Sequence, residues 1–63
     1  MSYIRWEDPF CGDSSNCFRI GTDAAGNAYI AVSGAEDQYV TDTRAALGAL
    51  IRDIKAGKAD HLL

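Results

Sequence analysis

Four large apolar residues near the end of the chain, Leu47, Leu50, Ile51 and Ile54, fall at i, i+3, i+4 and i+7. That spacing lines one face of an α-helix and no single face of a strand. Thr43 precedes the stripe as an N-cap, a hydroxyl able to accept from an otherwise unpaired amide of the first turn. Gly57 follows it where a left-handed residue ends a helix, with Lys55 and Lys58 suiting the negative end of the dipole. A helix of about 14 residues is marginal in water by itself. The stripe therefore needs a second layer.

Strand periodicity supplies that layer upstream. Cys17-Phe18-Arg19-Ile20 alternates, and so does Ala28-Tyr29-Ile30-Ala31-Val32, with Ile30 and Val32 on one side and Tyr29 on the other. Between them Asp23 and Gly26 carry turn chemistry. Ser33 to Asp37 forms a second turn region, and Gln38-Tyr39-Val40-Thr41 a short third strand. Tyr3 to Trp6 reads as a fourth strand that ends before Pro9, and residues 7–16 read as an irregular loop. The expected architecture is α+β: a small antiparallel meander of three to four strands packed against one C-terminal helix. With 63 residues, the chain has material for one domain, residues 1–63. Ten of its thirty apolar residues are alanine, so large core-building side chains are scarce. Trp6 and Phe18 are the first candidates for that core.

Function classes narrow by exclusion. No run approaches the roughly 18 apolar residues of a membrane span. The start, Met1 to Trp6, has no apolar export segment, which points to a cytoplasmic protein. The net charge is −3, and it is unevenly shared. Residues 1–43 hold two cations against seven carboxylates, whereas residues 44–63 hold four cations against two. An acidic sheet half argues against a phosphate-backbone binder. It suits either a solvated surface or a face that meets a basic partner.

No nucleophile elbow, phosphate loop or dinucleotide fingerprint occurs, so no catalytic residue and no cofactor is expected. Asp13, Ser14 and Ser15 read as turn formers, and His61 as a solvated near-terminal residue. Cys11 and Cys17 leave two readings open. Free thiols, with Cys17 a small buried strand residue, fit a reducing cytosol, while a disulfide would help a small core. A zinc site with Asp60 and His61 lacks the paired ligand spacings that zinc needs, so no metal is expected.

Two surfaces remain as binding candidates. On the helix face opposite the apolar stripe, Ala45, Ala49, Arg52 and Ala56 cluster, with Gly48 at the border. Small residues in a row let another backbone approach closely, whether from a second copy or from another protein. The alternative is a stacking platform of Trp6, Phe10, Tyr29 and Tyr39 for single-stranded nucleic acid or a small ligand.

The order of these signals resembles a small actinobacterial domain of unknown function, the family numbered 397 that includes BldB-type developmental regulators. The resemblance rests on Trp6, Ser14-Ser15, Asn16-Cys17-Phe18-Arg19-Ile20 and Tyr29-Ile30-Ala31-Val32. It continues through Thr43-Arg44-Ala45, Leu47 and Leu50 to Lys55-Ala56-Gly57-Lys58-Ala59-Asp60. The chain departs from the family at Ser33-Gly34-Ala35-Glu36, and at Leu47 and Leu50, where the family carries aromatics. The resemblance implies a regulatory protein, of a kind often encoded near helix-turn-helix transcription factors, that acts by binding proteins and self-associates. No catalytic residues carry over from it, and the partners expected are a helix-turn-helix regulator and a second copy in a homodimer.

Overall fold

The computed structural model describes residues 3–12 and 17–63. Four strands follow one another in chain order: β1 (Arg5–Trp6), β2 (Phe18–Thr22), β3 (Asn27–Val32) and β4 (Val40–Thr43). They form one antiparallel sheet in the order β1-β2-β3-β4, the expected meander. The helix α1 (Arg44–Lys55) comes next, and a short 3₁₀ turn at Asp60–Leu62 ends the chain. Asp13, Ser14 and Ser15, read from the sequence as turn formers, lie outside the described residues, as does Asn16.

Local chemistry explains each boundary. In the β2–β3 turn, Gly26 takes φ 89°, and the Asp23 carboxylate accepts from the Ala25 and Asn27 amides, both at 3.0 Å. At the start of α1 the Thr43 hydroxyl accepts from Ala46 N–H at 3.1 Å. At its end Gly57, at φ 88°, donates to Ile54 C=O while Lys58 donates to Asp53 C=O, both at 3.0 Å. These two bonds are the paired closure of a Schellman motif, which explains why the helix stops at a glycine.

Register sorts the side chains onto two faces. On the helix side lie the ladders Phe18–Val32 and Ile20–Ile30–Val40, with Ala28 opposite Asp42. On the other side Gly21 stands between Trp6 and Tyr29. This second face carries the better-packed part of the core. Tyr29, only 6% exposed, meets Tyr39 edge-on at 5.0 Å and Trp6 at 6.4 Å between ring centres. The Arg19 guanidinium sits 6.0 Å from the Trp6 ring and reaches Glu36 at 2.9 Å.

Two expectations need correcting, at Phe18 and at the helix ridge, and the choice left open at the cysteines is decided. Phe18 is not core: it is 66% exposed, because its register with Val32 puts it at the end of the helix-side face, beyond the helix. Cys11 and Cys17 are joined in a disulfide rather than standing as free thiols. Antiparallel bridging of Phe10 to Phe18 folds the loop back on β2 and brings the two sulfurs together. Lastly, the apolar ridge of α1 is not sealed. Leu47 is half-buried, but Leu50 and Ile54 are 44% and 49% exposed, and α1 buries no residue fully. Thr43 is both the last residue of β4 and the cap of α1, so no linker lets the helix swing over the sheet. It packs chiefly against β4 and β3.

Candidate functional site

The helix-side face is what this hinge leaves open. Phe18, Val32 and Val40 project from the strands, and Leu50, Ile51 and Ile54 from the helix, all substantially exposed. Between the two elements runs a groove of about 290 Å³, lined by Ala28, Ile30, Val40, Ala46, Leu47 and Leu50, with Thr41, Asp42 and Thr43 along its β4 wall. The face thus offers a convex apolar ridge beside a concave apolar groove.

The total exposed area agrees. The chain exposes 5012 Å², where a compact monomer of its mass exposes about 4,000 Å². The radius of gyration is 12.4 Å, against about 10.6 Å for a compact domain of this length. Scattered exposed apolar residues are ordinary, whereas a contiguous patch of them marks an interaction surface.

Other predicted residues sit elsewhere. Ala45, Ala49, Arg52 and Ala56 are exposed on α1, and Gly48 is half-buried. Arg52 folds back so that its guanidinium would lie 3.2 Å from a β-carbon at Gly48. That cover blocks the close backbone approach a bare glycine would permit. Of the aromatics read as a stacking platform, Tyr29 is buried between Trp6 and Tyr39, whereas Tyr39 and Phe10 stay exposed and Phe10 stands apart from the cluster. His61 is exposed in the final turn. Among the described residues no helix is long and apolar enough to cross a membrane.

Sequence reasoning missed the polar hub beneath the aromatic cluster. Asp23 accepts from two backbone amides, from the Asn27 side chain at 3.2 Å, and from the Tyr29 hydroxyl. Chiefly through the Tyr29 bond, its carboxyl is held at about 2, below the ordinary 3.8. The same bond raises the Tyr29 phenol above 10.0. Glu36 is lowered too, first by its bond from Arg19. The signal was present in the sequence, since an Asp that opens a tight turn six residues before a strand Tyr can meet the phenol as the chain folds back.

These shifts set a pH profile. Asp23 ionises more readily folded than unfolded, so its contribution is complete above pH 3.8 and fades as pH falls toward 2. Tyr29 holds its proton more firmly when folded, so its contribution persists below pH 10.0 and fades as pH rises beyond it. Replacing Tyr29 with Phe is expected to abolish the alkaline loss and shrink the acid one, leaving the parts due to Glu36 and to the Asp23 bonds from Asn27 and Ala25. Melting temperature followed against pH checks this. An unchanged acid limb in the variant would remove Tyr29 from the account.

No protein-family model, no curated protein and no solved structure matches the chain.

Proposed function

We propose that this chain is a small non-catalytic regulatory protein that acts by binding other proteins through its open helix-side face. A second copy is one such partner, and a helix-turn-helix transcription regulator is another. One observation carries the reading: Phe18, Val32, Val40, Leu50, Ile51 and Ile54 stay exposed together on one face. Ridge and groove lie side by side there, so two copies related by a two-fold axis can each seat a ridge in the other's groove. The acidic sheet half and the cationic helix half give such a pair, or a basic partner, a preferred orientation.

This reading moves the contact from the Ala45/Ala49/Ala56 strip to the apolar ridge. Sedimentation tests it. The wild type is expected to sediment above monomer mass, and Ile51→Glu to return it to monomer with unchanged circular dichroism. Ala49→Glu is expected to leave the mass as it was. A wild type that is monomeric at every concentration defeats the self-association part. The regulator part fails if a helix-turn-helix protein retained by the wild type is retained equally by Ile51→Glu.

A further inference from the structure

A separate cleft of about 570 Å³ opens at the far end of the sheet, between β1, the β2–β3 turn and the start of α1. Arg5 and Arg44 line it together, although 39 positions separate them in the chain. Cross-strand pairing with Thr22 places Arg5 on the helix side of the sheet. The bond from Arg44 N–H to Gly26 C=O, at 2.9 Å, ties the helix start to the turn. The fold itself thus brings the two cations to one place.

Neither arginine is neutralised. Among the described residues the ion pairs are Arg19–Glu36 and Lys58–Asp53, and neither involves Arg5 or Arg44. Asp23 is the one carboxylate lining the cleft; its oxygens accept from Ala25, Asn27 and Tyr29, neutral donors that leave its charge in place, so the lining holds two cations against one anion. Arg44 also stands in the first turn of α1, which contains no acidic residue. A cation there opposes the helix dipole. An arrangement that breaks a local rule without an internal compensation points outward, to something that binds.

We propose that this cleft binds a small phosphate monoester, its phosphate held between the Arg5 and Arg44 guanidiniums. Guanidinium forks match phosphate oxygens in pairs, and the two cations outweigh the single Asp23 charge beside them. Thr22 adds a hydroxyl donor, and the exposed Tyr3 ring gives a flat apolar wall for the organic part of the ligand. The cleft has room for more than a bare phosphate. This site is independent of the docking face and of the reading built on it.

Phenyl phosphate is the probe, titrated into the full chain at low ionic strength and followed by backbone amide NMR. Saturable shifts are expected at Arg5, Thr22, Ala24, Ala25 and Arg44, with the ridge at Ile51 and Ile54 unmoved. Benzoate, a monoanion on the same ring, should bind about tenfold more weakly, and so should phenyl phosphate to Arg5→Gln or Arg44→Gln. Added salt should weaken wild-type binding, a readout that needs no variant. Absence of saturable shifts in the wild type, equal affinity for benzoate, or salt-independent binding each overturns the proposal. So does binding undiminished in both variants.

Discussion

Gly21→Val is expected to unfold the protein at ambient temperature, and Gly21→Ala to lower its melting temperature measurably. A β-carbon at this position would lie 2.7 Å from Cγ2 of Ile4 and 2.9 Å from Cε3 of Trp6. Neither neighbour is the free end of a flexible chain. Ile4 is branched at its own β-carbon, and the Trp6 ring is confined between Tyr29 and the Arg19 guanidinium. Gly21 does not have a positive φ, so alanine meets no backbone strain. Alanine would even gain about 0.4–1 kcal/mol by restricting the unfolded chain. Overpacking, at about 1–3 kcal/mol, outweighs that gain. In a domain this small each kcal/mol moves the melting temperature by about 4–8 °C. The two larger β-substituents of valine would expel the ring, and Trp6 fluorescence should shift to the red. A Gly21→Ala variant that melts at or above the wild-type temperature would show that β1 does not press on β2 as described.

That glycine also marks where the sequence is legible and where it is not. Periodicity, caps and turn residues act over a few positions, so the helix, its Thr43 cap, its Gly57 stop and the β2–β3 turn could be read directly. Strand ends shifted by one or two residues because pairing, a non-local property, decides them. Gly21 and Thr22 join β2 only because Tyr29 and Ala28 stand opposite. Which face holds the better-packed core is not written in the alternation. Ile30 and Val32 look like core residues by hydropathy, yet Tyr29 and Ala31 are the buried ones on β3, together with Ala28. A glycine paired with a tyrosine on a neighbouring strand leaves a slot that an aromatic ring fills, and Trp6 fills it. Alternation reports that two faces differ, but which one is covered depends on where the helix lands. Here the direct β4-to-α1 junction decides that, and it leaves the apolar ladder partly bare. The candidate site was illegible for the same reason, since the sequence shows an apolar stripe but not that the stripe stays open.

Reduction of the Cys11–Cys17 bond is the second change expected to have a large effect. The bond spans a sequence separation of 6, and it secures a loop that is otherwise tied to β2 by the Phe10–Phe18 bridge. Closing so short a ring removes unfolded-state entropy worth about 2.4 kcal/mol. A chain of this length has about 3–9 kcal/mol of stability in all. Losing the bond is therefore a substantial fraction, equivalent to a fall of about 10–20 °C in melting temperature. The damage should spread unevenly. Cys17 is buried and its carbonyl accepts from Ser33 N–H at 2.7 Å, so the β2 end is held by the sheet while Cys11 is released. Cys11→Ser should accordingly match the reduced wild type. Cys17→Ser should melt lower still, because it also buries a hydroxyl in place of sulfur. Thermal melts with and without dithiothreitol test this, alongside thiol counting on folded protein purified without reductant. Two reactive thiols in that protein, or melts that coincide with and without reductant, would return both cysteines to the role of free thiols and leave the aromatic face to hold the fold unaided.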